Sequence, residues 1–257
     1  MQEKNILSQS LNLDYLPDEH YESLAKLEAS YWWHISRVNW TEKFIRSIYP
    51  DTVTLNVLDY GCGTGGFLYE LNKRLRFKSY LGVDSSDKAI QLALKYGNYF
   101  RQINPVDFRL PEDVNLILLM DVLEHIEDDG HFLKSLTGDL KRKIYVLISV
   151  PALPCLYSNW DKTLGHYRRY TKESLGKLVE KAGGKIKNMK YCFGYLVPII
   201  LLKRVMLKTL YDRRKCEFPQ VPESVNQFLL ILNHLEMFGA KYINSPMGSS
   251  LFCLFEK

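Results

Sequence analysis

The run Val57-Leu58-Asp59-Tyr60-Gly61-Cys62-Gly63-Thr64-Gly65-Gly66, followed by Leu81-Gly82-Val83-Asp84, has the form of a buried strand, a glycine loop, a helix start and a second, acid-tipped strand. Glycines at 61, 63 and 65 let the backbone pass beside a bound molecule where a side chain would collide, and a helix opening near Gly66 aims free amides at it. This is a nucleotide-binding unit. Asp84 stands where a carboxylate can hold both ribose hydroxyls in a bidentate grip.

The glycines alone leave two cofactors open, because Gly61, Gly63 and Gly66 also satisfy the G-x-G-x-x-G dinucleotide pattern, with Asp84 near its expected offset. Asp59 breaks the tie. A carboxylate just before the loop can serve a cationic amino-acid tail but would repel a pyrophosphate. Downstream, the strand Leu116–Met120 opens into Asp121-Val122-Leu123-Glu124-His125, and Ser250–Glu256 reads as a last strand.

In this order the residues resemble the class I S-adenosylmethionine-dependent methyltransferases, especially the small-molecule branch that contains the ubiquinone-biosynthesis O-methyltransferases. The resemblance runs from about Thr54 to Phe193, resumes near Met247, and weakly includes Tyr31-Trp32-Trp33-His34-Ile35-Ser36-Arg37. It implies an α/β fold, a doubly wound, mainly parallel seven-stranded Rossmann-like sheet. Residues 1–50 would form an N-terminal helical cap and 51–257 the main domain, with a helical insertion at 194–245 between the last two strands. The implied cofactor is S-adenosylmethionine, with S-adenosylhomocysteine as product. Carried over onto matching positions, Arg37 meets the cofactor carboxylate and Asp59 its ammonium. Gly61, Gly63 and Gly65 line the methionine and ribose, Asp84 holds the ribose, Ser85 and Met120 flank the adenine, and Asp121 completes the set.

Strand-helix alternation agrees with that architecture. Helical sequence runs from Pro17-Asp18 to about Ser30 and again through Ile35, Val38, Ile45 and Ile48. Strands are predicted at 56–60, 79–84, 99–103, 116–120, 143–150, 185–193 and 250–256, and ligands belong beyond their carboxyl ends.

Methyl transfer to oxygen is an in-line displacement, helped by a base, whereas an amine acceptor need only arrive unprotonated. The segment Tyr157 to Tyr170 follows the fifth strand and should overhang the acceptor. Within it His166 is the leading base, Asp161 its orienting partner, and Tyr157, Arg168 and Arg169 are substrate-holding candidates; the bland alternative is a loop tied together by the same groups. Asp121, Glu124 and His125 have spacing similar to a divalent-metal site of the ubiquinone branch, with Asp in place of its first Glu, and we assign no metal to them.

The 257 residues, 46% hydrophobic, suffice for one substantial core. A formal charge of +5, without an arginine-rich arm, does not call for nucleic acid. The acceptor is expected to be a small or lipid-linked metabolite. Five cysteines, at 62, 155, 192, 216 and 253, show no C-x-x-C pair and suggest reduced thiols in the cytoplasm. The first residues lack a signal-peptide pattern. In the insertion, Tyr195–Leu202 is apolar but far shorter than the ~20 residues of a membrane span. Three readings remain for it: a lid, the plainest; a homodimer contact; or a peripheral membrane contact at the inner face, setting Lys203, Arg204, Lys208, Arg213, Arg214 and Lys215 against anionic lipid. Two other functional classes stay open, an inactive cofactor-binding subunit and a nicotinamide-dependent oxidoreductase.

Overall fold

The computed structural model describes residues 18–49, 54–138, 142–206, 221–240, 242 and 244–257. Helices α1 (Asp18–Leu27) and α2 (Trp32–Arg46) precede β1 (Asn56–Tyr60), α3 (Gly66–Leu75), β2 (Ser79–Asp84), α4 (Asp87–Ala93) and β3 (Phe100–Gln102). Then come β4 (Leu116–Met120), α5 (Asp129–Thr137), β5 (Tyr145–Pro151), the short α6 (Asn159–Thr163), α7 (Lys172–Lys181) and β6 (Lys185–Cys192). Two helices, α8 (Leu196–Met206) and α9 (Glu223–Gly239), separate β6 from the last strand, β7 (Ser250–Glu256). Lys208, Arg213, Arg214 and Lys215 lie outside the described residues.

The strands form one seven-stranded sheet in the order β3-β2-β1-β4-β5-β7-β6, parallel except for β7, which runs antiparallel to both neighbours. Strand order reverses between β1 and β4, which pair from Val57 opposite Leu116 to Asp59 opposite Leu118. Their adjacent carboxyl ends open the crevice where such sheets bind ligands.

Both faces of the central strands are buried, so alternation within them sorts side chains between two cores rather than between core and water. Val57, Leu116, Leu118, Met120, Phe252 and Leu254 face the layer of α2 and α3; Leu58, Ile117, Leu119, Leu251, Cys253 and Phe255 face the layer of α5 and α7. Trp40, Phe44 and Ile45 of α2 belong to the first core, and Phe44 stacks on Phe252 at 5.5 Å between centroids. The second helix of the expected cap is therefore part of the sheet's outer layer.

Helix α9 closes over α2 through polar groups. Asn226 Oδ1 accepts from Trp32 N at 2.8 Å, Asn233 Oδ1 from Trp40 Nε1 at 2.9 Å, and Glu236 accepts from the amides of Phe193 and Gly194 at 2.9 and 2.6 Å. Among the described residues no helix is long and apolar enough to cross a membrane.

Replacing Asn233 with Leu should cost about 1–3 kcal/mol, because the buried Trp40 Nε1 loses its acceptor. Urea unfolding of the variant beside Trp40→Phe/Asn233→Leu checks this, and the double variant should recover part of the loss.

Candidate active site

Asp59 is the fourth residue of β1, and parity with Val57 sends its side chain into the layer of α2. It is 1% exposed, and its Oδ1 has no hydrogen-bond partner. Burial pushes its carboxyl up to about 7, against the pull of the Arg37 guanidinium and with the help of the Asp84 charge. Unpartnered buried carboxylate oxygen is costly, and a cationic ligand group would satisfy it.

Arg37 comes down from α2 onto the same crevice. Its Nη2 donates to Met120 O at 3.2 Å and pairs with Asp121 Oδ2 at 3.1 Å, while the guanidinium lies 4.5 Å from the Trp33 ring centroid and 5.1 Å from that of Phe67. Asp121 holds a left-handed backbone (φ 59°) as the chain leaves β4, fixed by Asp121 N donating to Ser149 O and Ser149 Oγ donating to Asp121 Oδ1 at 3.0 Å. Strain of this kind persists only where surrounding structure enforces it, and here it turns the Asp121 carboxylate toward Arg37. Met120 is buried, with Thr41 Oγ1 3.6 Å from its sulfur.

The loop glycines Gly61, Gly63 and Gly65 all adopt positive φ, at 78°, 54° and 81°. At Gly65 a Cβ would also fall 2.8 Å from Ala93 Cβ and 2.9 Å from the Phe100 ring. Asp84 braces the loop: its Oδ2 accepts from Gly63 N at 2.8 Å and its Oδ1 from Ser86 N at 2.9 Å. Each carboxylate oxygen keeps a second lone pair for a ligand hydroxyl. Half-buried Ser85 follows, its carbonyl accepting from Gln102 Nε2.

One expectation is corrected here. The amide at the start of α3 is not free for a ligand, because Glu28 Oε1 accepts from Gly66 N at 3.2 Å and from Thr64 Oγ1, while Tyr96 OH donates to Oε2 at 3.1 Å. Glu28, 8% exposed, acts as an internal anion at that helix start, and burial raises its pKa. No local motif announces it, since its partner loop lies 36 residues downstream.

The segment from Tyr157 to Tyr170 gathers around Asp161, and its groups bond to one another and to the neighbouring chain. Asp161 is fully buried; burial alone would raise its pKa, but contacts from His166, Arg169 and Ser158 bring it down to about 2. His166 Nδ1 is 3.3 Å from Asp161 Oδ1, Arg169 Nε donates to the same oxygen at 2.6 Å, and Ser158 N and Oγ donate to Oδ2. The expected substrate-holding side chains are engaged within the protein. Tyr157 OH donates to His166 O at 2.7 Å, Arg169 Nη1 to Ala152 O at 3.1 Å, and Arg168 pairs with Asp129 at 3.1 Å and donates to Glu127 O at 2.6 Å. Carboxylates and backbone carbonyls of the chain itself, Asp161 and Ala152 O for Arg169, Asp129 and Glu127 O for Arg168, thus engage both guanidinium groups.

His166 packs edge-on to His125, ring centroids 4.7 Å apart, and burial holds His125 neutral by lowering its pKa to about 3. Glu124 is fully buried with both carboxylate oxygens unpartnered, and burial followed by the Asp121 charge raises its pKa well above the usual range. Glu124, His125 and His166 bring one ligand atom each within 4.8 Å of one another. Asp121, paired with Arg37, is not part of that group; the Asp121-Glu124-His125 set suggested by spacing is replaced by one in which His166 is the third member.

The family described as "Methyltransferase domain" matches residues 32–186. A ubiquinone biosynthesis O-methyltransferase of Rickettsia bellii is 27% identical over 120 residues, 44% of this chain and 49% of that protein. The chain thus spans about half the length of that curated relative. In three dimensions it is similar to the plantazolicin methyltransferase BpumL in complex with SAH (18% identity, TM-score 0.59, 99% of this chain and 95% of that one). It is also similar to Haemonchus contortus phosphoethanolamine N-methyltransferase 2 in complex with S-adenosyl-L-methionine (15% identity, TM-score 0.59, 96% and 58%). At these identities the structural likenesses establish the fold.

The raised Asp59 carboxyl has a stability signature. In the folded chain it stays protonated up to about pH 7, whereas its ordinary value is 3.8, so its contribution is full below the ordinary value and lost as pH rises through 7. Asp59→Asn should therefore melt progressively higher than the wild type as pH climbs across that interval, and scanning calorimetry of the ligand-free proteins checks it.

Proposed function

This chain belongs to the methyltransferase-domain family, and from that premise we propose that it moves a methyl group from S-adenosylmethionine to an oxygen of a small or lipid-linked metabolite. The observation that carries this reading is the buried, unpartnered Asp59 Oδ1 beside Arg37, with Asp84 at the end of the neighbouring strand. Those residues fit the cofactor: Asp59 for the ammonium, Arg37 for the carboxylate, the loop from Gly61 to Gly65 for the middle of the molecule, and Asp84 for the ribose. A buried carboxyl at Asp59 offers a dinucleotide's pyrophosphate no positive charge and repels it once ionised, which weighs against the oxidoreductase alternative.

When bound, S-adenosylmethionine supplies an electrophilic methyl group on a positively charged sulfur. The chain's own task is to orient the acceptor and take its proton. His166 is suited to that: Asp161 fixes the ring through Nδ1, which leaves Nε2 as the proton acceptor. Arg169 keeps Asp161 ionised, so the imidazolium formed on proton uptake is stabilised by a neighbouring carboxylate. The provision of such a base supports oxygen over nitrogen, as does the likeness to the Rickettsia bellii O-methyltransferase.

The proximity of Glu124, His125 and His166 favours one second reading, in which those three residues hold a divalent transition ion that would acidify an acceptor hydroxyl.

His166→Ala should lower kcat on a phenolic acceptor by about 10²–10⁴-fold while leaving S-adenosylhomocysteine affinity unchanged. Transfer of labelled methyl, measured with and without a chelator, separates the two readings. Undiminished turnover in chelator supports His166 as base; loss of turnover that is restored by added metal supports His166 as ligand; intact turnover by His166→Ala removes both.

A further inference from the structure

Helix α9 is turned inside out. Its Asn226, Asn233 and Glu236 bond inward, to Trp32, to Trp40 and to the amides of Phe193 and Gly194, while Val225, Phe228, Ile231, Leu235 and Phe238 point outward, each between 39% and 66% exposed. From Phe228 to Ile231, Leu235 and Phe238 the steps are three, four and three residues, the repeat of a seam along which one helix packs against another. Asn226 and Asn233, seven apart, occupy the opposite face of the same repeat. Tyr242, seven residues after Leu235 and 77% exposed, continues the seam past the helix end, its ring centroid 6.1 Å from that of Phe238. Isolated surface apolar residues are ordinary, but an aligned apolar seam on a helix whose polar residues are buried marks a contact.

We propose that this seam is a homodimer interface, on which α9 of a second copy lies antiparallel about a two-fold axis at the level of Asn233. In that register Ile231 meets the partner's Leu235 and Phe228 meets the partner's Phe238, and the axis repeats both layers, so the face is complementary to itself. Charge agrees with a second copy. The positions that flank the seam, Gln227 and His234 on one side and Val225, Leu232 and Gly239 on the other, carry no carboxylate or ammonium, so pairing two copies opposes no like charges along it. A helix that lies in a membrane surface meets the headgroups with lysine and arginine, and α9 has neither. Area agrees too. Three aromatic side chains that expose most of their surface, at roughly 150–250 Å² each when whole, and three aliphatic ones leave on the order of 650 Å² open per copy. Pairing would bury about twice that, within the roughly 1,200–2,000 Å² of stable interfaces. Because the inner face of α9 grips Trp32 and Trp40 of α2, the contact sits behind the helix that carries Arg37.

The test is the mass of the full chain in solution, by sedimentation velocity across a micromolar dilution series. The wild type should run at twice the mass of one chain. Ile231→Lys and Leu235→Glu, each alone, place two uncompensated charges in the seam and should weaken the dimer at least about thirtyfold. Mixed in equal amounts the two variants should pair again, because the antiparallel register sets their opposite charges against each other in one layer and restores the original contact in the other. Recovery on mixing shows that both variants fold, and the wild-type series stands without them. A monomeric wild type, single variants that stay dimeric, or a mixture of folded variants that fails to pair would overturn the proposal. With a monomeric wild type, binding to phosphatidylcholine vesicles would assign the face to lipid, and variants that melt at lower temperature would assign it to another segment of the chain.

Discussion

A carboxyl group in the middle strand of a parallel sheet, sealed from water and short of one partner, is the constraint around which this protein is arranged. Its strand neighbours Val57 and Leu58 are apolar and equally buried, so burial at Asp59 is costly where theirs is favourable. Its retention in a buried place accounts for several other features. Arg37 descends from α2 to bring positive charge near it, Asp121 with its left-handed backbone balances that arginine, and the Trp33 and Phe67 rings lie within 4.5 and 5.1 Å of the guanidinium. Each of these carries a local cost, and they occur together at the point where the strand order reverses.

Much of this was legible in the sequence because the central strands are buried on both faces. Continuous apolar runs bounded by glycine or acid give sharp ends, and β1, β2, β4 and β7 have the bounds predicted for them. Other strands were less sharp: the edge strand β3 is confined to Phe100–Gln102, and the interior strand β5 begins at Tyr145 and runs on through Pro151. The three loop glycines read correctly as backbone requirements, since each has a positive φ. Long-range polar contacts did not read at all. Glu28 reaches the glycine loop, and Arg168 finds Asp129, through pairings that no short-range pattern encodes. Helix α9 goes further and inverts the usual rule, because its apolar periodicity points away from the protein and two asparagines face in.

The surroundings of Asp161 obey a different logic from those of Asp59. Around Asp161 nearly every hydrogen-bonding group is satisfied internally, which makes a rigid frame: Ser158, Arg169 and His166 all converge on one buried carboxylate. A frame of this kind holds the His166 imidazole in one orientation. Glu124, with both oxygens unpartnered beside His125 and His166, is the exception within it, and that local deficit of partners parallels the one at Asp59. The two incomplete carboxyl groups lie at the carboxyl end of β1 and in the turn that follows β4.

The measurement that tests the central assignment most directly is isothermal titration of the purified chain with S-adenosylhomocysteine and, separately, with a nicotinamide dinucleotide, the Asp84→Ala variant run alongside. The account predicts saturable binding of S-adenosylhomocysteine alone, lost in the variant although it remains folded. Binding of the dinucleotide in its place, or no binding of either by folded wild-type protein, would contradict it.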